Sequence, residues 1–135
     1  MAENLAAEPG AGPLLPPLAL TLSRSRLGQQ MLVSVGGEVD LATADSLRSY
    51  LLETAGQSSG IGVDLTGTTF LDSSGVRVLV HAAQRAADNG AAFFLVCPTD
   101  NTAVRRILEI LQLQTVMSIV DSLPSGWPET SPTAG

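Results

Sequence analysis

The sequence predicts a single α/β domain, a mixed β-sheet flanked by helices in the order β-β-α-β-α-β-α-β. Three observations predict it. Short apolar runs bounded by glycine and proline alternate with stretches whose apolar residues recur every three or four positions. The first two runs are joined by a short connection, whereas each later run is separated from the next by a helical pattern, as in βαβ units. The run from Ile61 to Leu65 is almost continuously apolar, as suits a strand in the middle of a parallel sheet.

The elements follow in order. Residues 1–17 are rich in Ala, Pro and Gly and read as a disordered N-terminal arm. The domain occupies 18–120. Leu18, Leu20 and Leu22 alternate with Ala19, Thr21 and Ser23, the pattern of a half-buried strand. Residues 24–30, with Gly28, read as a hairpin connection, and 31–39 as a second strand broken late by Gly36-Gly37. Thr43 stands as an N-cap for a helix with Ala44, Leu47, Leu51 and Ala55 on its inner face and Gly56 as its stop. The third strand passes through a short polar turn into a second helix after Ser73. Its inner face is Val76, Leu79, Val80, Ala83 and Ala87, and Asn89-Gly90 closes it in a left-handed cap. Ala92 to Val96 form a buried strand. Thr99 or Asp100 caps a third helix with Ala103, Val104, Ile107, Leu108 and Leu111 inward, and 116–120 form the last strand. From Asp121 the prolines return, so 121–135 read as a flexible tail carrying Trp127, the only tryptophan.

Composition narrows the function. With 44% hydrophobic and 15% charged residues the chain is globular, and its length suffices for one core. A net charge of -6 without a basic cluster argues against nucleic-acid partners, since phosphate contacts need a basic face. All basic residues are arginine, so Schiff-base chemistry and a P-loop lysine are excluded. Cys97 is alone, which forbids an internal disulfide and suits a reducing compartment. The N-terminal stretch has two glutamates and no basic residue, unlike a signal peptide, and no apolar run reaches membrane-spanning length. The expectation is a cytoplasmic protein with no membrane partner.

Enzymatic readings are weak. Ser73 and His81 are separated by about 12 Å of helix, beyond hydrogen-bond reach. One histidine and one cysteine cannot build a His-rich or zinc-finger site. Glu38, Asp40, Asp64 and Asp72 could gather at strand ends as a hydrolase or Mg²⁺ site, but such residues more often cap helices and satisfy loop N–H groups. Cys97 reads as a structural thiol. No catalytic residue, cofactor or metal is expected.

The junction from Val63 to Gly75 is the informative segment. A helix start leaves N–H groups unpaired and carries partial positive charge. A serine there can cap the helix, worth about 1 kcal/mol, or carry a phosphate in a favourable field. Ser73 and Ser74 are therefore candidates for a charge switch, with capping by Asp72 or Ser73 as the simpler alternative.

Gly37-Glu38-Val39-Asp40 before Thr43-Ala44, followed by Val63-Asp64-Leu65 and Phe70-Leu71-Asp72-Ser73-Ser74-Gly75, resembles a STAS domain. Within that family it is similar to the bacterial anti-sigma factor antagonists, over roughly residues 18–120. The resemblance implies a protein-binding switch without enzymatic activity. The unphosphorylated domain binds an anti-sigma factor that is also a serine kinase, freeing a sigma factor for transcription, and a serine phosphatase reverses phosphorylation. Ser73 is then the acceptor, Asp72 and Gly75 complete its motif, and Asp40 belongs to the neighbouring loop. The implied partner surface comprises Asp40, Thr66, Asp72, Ser73, Ser74, Gly75, Val76 and Arg77. Two departures lie at the far end: Gln112 replaces a family glycine near the end of the third helix, and the proline-rich tail makes a long terminal helix improbable.

Phosphorylation adds about −1.5 to −2 charges. A helix start in water tolerates that, whereas an interface covering it does not. Arg77, four residues after Ser73 on the same helical face, is a candidate phosphate partner or simply a solvated arginine. A different class, a STAS module that binds a partner or ligand without switching, would use the same surface.

Overall fold

The computed structural model describes residues 20–124. Strand β1 spans Leu20–Leu27 and β2 spans Gln30–Val39. They pair antiparallel, and only Gly28 and Gln29 separate them, with Gly28 at φ 61°. Most of the expected 24–30 connection is therefore strand. The charged pattern misleads there because Arg24 is satisfied against the first helix, α1 (Ala44–Ala55). Its guanidinium donates to the Tyr50 hydroxyl at 3.2 Å, Thr54 Oγ1 at 3.1 Å and Glu53 Oε1 at 2.8 Å, and it lies 4.3 Å from the Tyr50 ring centroid.

The remaining elements are β3 (Gly60–Asp64), β4 (Thr68–Leu71), α2 (Ser73–Asp88), β5 (Ala92–Val96), α3 (Thr102–Ile110), a 3₁₀ turn at Leu113–Thr115 and β6 (Ser118–Val120). The six-stranded sheet has the order β1-β2-β3-β5-β6, with β4 paired to β2. All pairings except β1 with β2 are parallel. The mixed α/β class stands, but the order contains one strand more than expected, because the polar turn before α2 holds β4.

The physical reason for β4 lies in β2. This strand is long enough to pair with β3 through Gln30–Ser34 and then, past a register shift at Gly37, with β4. Gly37 adopts φ 89°, which a residue with a side chain rarely takes. Without β4 the far half of β2 would leave backbone groups unpaired. Thr68 reinforces the pairing by donating its buried hydroxyl to the Val35 carbonyl at 2.7 Å.

One core cluster draws Val33 and Val35 from β2, Leu47 and Leu51 from α1, Val63 from β3, Leu79 from α2, Leu95 from β5 and Leu108 from α3. On α2 the buried residues are Gly75, Val76, Val78, Leu79, Ala83 and Ala86, so Ala86 takes the inward place expected for Ala87. On α3 only Val104 and Leu108 are buried, and Ala103 and Leu111 are exposed.

Asn101, rather than Thr99 or Asp100, caps α3. Its Oδ1 accepts from the Val104 N–H, while its Nδ2 donates to the carbonyls of Leu65 at 3.0 Å and Thr68 at 2.9 Å. An amide has donors and acceptor together, so it can fasten the helix to the β3–β4 turn as a carboxylate cannot. Asp121, expected in the loose tail, accepts from Arg105 at 2.7 Å. The N-terminal arm at 1–17 and the tail from 125 with Trp127 lie outside the described residues.

Gln112 is the only described residue other than glycine with positive φ, 55°. It sits just past α3, where left-handed backbone favours glycine. Such a conformation costs a residue with a side chain about 1–2 kcal/mol, and the extra freedom of unfolded glycine returns about 0.5–1. Gln112→Gly should therefore raise stability by about 0.5–1 kcal/mol, read as a higher melting temperature; a lower one would refute the strain.

Candidate functional site

The start of α2 is built by Asp72. Its backbone is extended, φ −108° and ψ −172°, which ends β4 and opens the helix. One carboxylate oxygen accepts from the N–H of Ser74 at 2.9 Å and of Gly75 at 3.2 Å, and from the Ser74 hydroxyl at 2.5 Å. Asp72 is thus the cap, and Ser74 spends its hydroxyl on Asp72. Ser73 occupies the first helical position, exposed, and its hydroxyl has no hydrogen-bond partner among the described residues. The two adjacent serines are chemically unequal.

The Ser74 hydroxyl holds the Asp72 carboxyl below its ordinary pKa, helped by the N–H groups of Gly75, Ser74 and Leu41 against the opposing effect of burial. The charged carboxylate is what caps the helix. Its contribution is complete above the unfolded value of about 3.9 and fades as pH falls through the lower folded value. Asp72→Ala should cost about 1–2 kcal/mol at neutral pH. That deficit should shrink on acidification, as thermal melts across pH would show; a deficit constant with pH would contradict the assignment.

A second loop lies alongside. The Asp72 N–H donates to the Val39 carbonyl at 3.1 Å, joining the α2 start to the end of β2. In the loop after β2, Asp40 Oδ1 accepts from the N–H groups of Ala42 and Thr43. Thr43 holds the N-cap position of α1 without a side-chain capping bond. Its hydroxyl instead donates to the Glu38 carbonyl at 2.9 Å. Leu41 at the loop tip is 82% exposed, and Phe70 on β4 is 47% exposed. Neither was singled out as a contact residue from the sequence, although Phe70 belongs to the motif that runs to Gly75 and an isolated leucine between Asp40 and Ala42 was a readable signal.

The other expected site residues divide. Gly75 and Val76 are buried, so they position the helix and offer a partner no side chain. A Cβ on Gly75 would lie 2.5 Å from Leu71 Cδ1 and 2.6 Å from Val39 Cγ1, which is why the helix can approach so closely. Arg77 is exposed and has no ion pair among the described residues. Thr66 is exposed but stands back from Ser73 by the length of β4, roughly 13 Å at the rise of a strand. It binds Asp64 Oδ1 through its N–H and hydroxyl.

The carboxylates of Asp40, Asp64 and Asp72 therefore each serve a local turn or helix start. Among the described residues no group of three His, Cys, Asp or Glu side chains comes close enough to hold a metal ion, and no helix is long and apolar enough to cross a membrane. His81 is exposed on α2. Cys97 is fully buried, and burial pushes its thiol pKa up, which suppresses the reactive thiolate.

A model of the STAS domain family matches residues 23–126. The chain belongs to the STAS domain family. Solved structures agree with this STAS fold. An anti-sigma factor antagonist from Mycobacterium paratuberculosis superposes with a TM-score of 0.70 at 23% identity, over 77% of this chain and 87% of the other. The unphosphorylated anti-sigma factor antagonist SpoIIAA gives 0.63 at 16% identity, covering 76% and 90%. The phosphorylated form of the Bacillus cell fate determinant SpoIIAA gives 0.58 at 18%, covering 77% and 93%. At these identities the likeness is one of fold.

Proposed function

We propose that this STAS domain is an anti-sigma factor antagonist switched by phosphorylation of Ser73. In the unmodified state it binds an anti-sigma factor with serine kinase activity and frees a sigma factor; a serine phosphatase restores that state. It acts by binding, in the cytoplasm, and has no catalytic residues of its own. The observation that carries this reading is the inequality of the two serines. Ser73 presents an exposed, unengaged hydroxyl above the N–H groups of α2, while Ser74 is tied to Asp72. Likeness to antagonists solved in both phosphorylation states supports the same role.

The contact surface would combine Leu41 and the Asp40 loop, Phe70, Asp72, Ser73 and Arg77. Exposed apolar side chains beside a chargeable hydroxyl give an interface that attracts a partner when neutral and repels it when charged. Arg77, exposed and four residues on from Ser73, would pair with the phosphate and stabilise the modified form, or else stay a solvated arginine. Incubation with the cognate kinase and ATP, followed by intact mass measurement, should show one added phosphate that disappears in Ser73→Ala and persists in Ser74→Ala. No uptake by the wild-type chain would favour a non-switching STAS module. Uptake retained in Ser73→Ala would move the acceptor elsewhere.

A further inference from the structure

A groove of about 360 Å³ runs between α1 and α2, away from the surface proposed above. Leu51, Ile61 and Val78, all buried, contribute its apolar lining, and Leu52 stands at its edge 38% exposed. Its size suits a small ligand. The polar groups around it are mainly basic: Arg48, His81 and Arg85. Arg48 forms an exposed ion pair with Asp45 at 3.6 Å, and neither the His81 nor the Arg85 side chain has an ion pair or hydrogen bond among the described residues. In a chain of net charge -6 with seven arginines, two of them and the single histidine converge on one apolar slot.

That combination selects a chemistry. An apolar floor gains from covering by hydrocarbon, and a guanidinium such as the unpaired one of Arg85 binds a carboxylate with two parallel hydrogen bonds. Asp88, one turn beyond Arg85 and also lining the groove, would repel a second carboxylate. We propose that the α1–α2 groove binds a medium-chain monocarboxylate, its tail over Leu51, Ile61 and Val78 and its head at Arg48 and Arg85. This site is independent of Ser73 and of the switch proposed for it.

Decanoate, titrated below its micelle concentration into the full chain, is the probe, followed by amide ¹⁵N–¹H spectra. Saturable shifts confined to the facing parts of α1 and α2 are expected. Decanol, with the same tail and no charge, should bind at least about tenfold more weakly, and Arg85→Glu should weaken decanoate by a similar factor. Ala82→Trp, which fills the groove, should abolish binding; Arg85 is exposed, so its variant keeps the test valid if the tryptophan disturbs folding. Equal binding of decanol, shifts that do not saturate, or unchanged affinity in Arg85→Glu would overturn the proposal. So would an acidic amphipathic peptide that occupies the groove when decanoate does not.

Discussion

Ser73→Asp should weaken binding to the proposed anti-sigma factor partner by at least about tenfold while leaving the domain as stable as wild type or slightly more so. The two effects have opposite signs because they arise in different surroundings. In the free domain the new carboxylate sits in water at a helix N-terminus, where a negative charge gains about 0.3–1 kcal/mol. For a domain of this size that raises the melting temperature by no more than several degrees. In the complex the same charge must be covered beside Asp72, and an uncompensated buried charge costs several kcal/mol. Each 1.4 kcal/mol is tenfold in affinity, so the full phosphate should cost on the order of a hundredfold or more. Ser73→Ala should bind as tightly as wild type and ignore the kinase. Calorimetry with the purified partner, alongside melting curves, separates the outcomes. A folded Ser73→Asp domain of undiminished affinity would end the charge mechanism.

Gly75→Ala should destabilise the domain by about 1–3 kcal/mol, the usual range for overpacking, and lower the melting temperature by roughly 5–15 °C. Helix propensity alone predicts the reverse, a gain of about 1 kcal/mol on replacing glycine inside a helix. The space decides the sign. An added methyl would meet Val39 Cγ1 at 2.6 Å and Val39 Cβ at 3.2 Å, and that branched residue is fully buried with little freedom to turn. The Leu71 methyl, 2.5 Å away, is more compliant. Relief therefore requires α2 to lift from β2 and β4, carrying Asp72 and Ser73 with it, so phosphorylation should slow as well. A melting temperature at or above the wild-type value would show that the approach is looser than these distances imply.

Much of the architecture was legible because hydrophobic spacing reports burial directly. Val76, Leu79 and Ala83 on α2 and the uniform apolar run of β5 left little choice of structure. The failures share a cause, which is polar side chains satisfied by distant partners. Arg24 reads as a loop residue until Tyr50, Thr54 and Glu53 are brought to it by α1. Thr68 and Thr69 read as a turn until β2 supplies the carbonyls of Val35 and Gly37. Asn101 was passed over for Thr99 and Asp100, because its two bonds to the β3–β4 turn appear only once the chain has folded. At the site, the serine pair was visible in the sequence but its inequality was not. Which hydroxyl is engaged depends on where the helix begins: with Ser73 as the cap in place of Asp72, the Ser73 hydroxyl would be the one engaged. Gly75 was legible as part of a motif, whereas the reason for it, the proximity of Val39, belongs to the packed sheet.

The bond from Asp72 to the Val39 carbonyl has a thermodynamic consequence. Both loops of the proposed contact surface are moored to one interior strand, so a protein that captured them would have little chain disorder left to remove. Association should then proceed with a modest entropic penalty, and the affinity of the unmodified form should reflect contact quality more than folding upon binding.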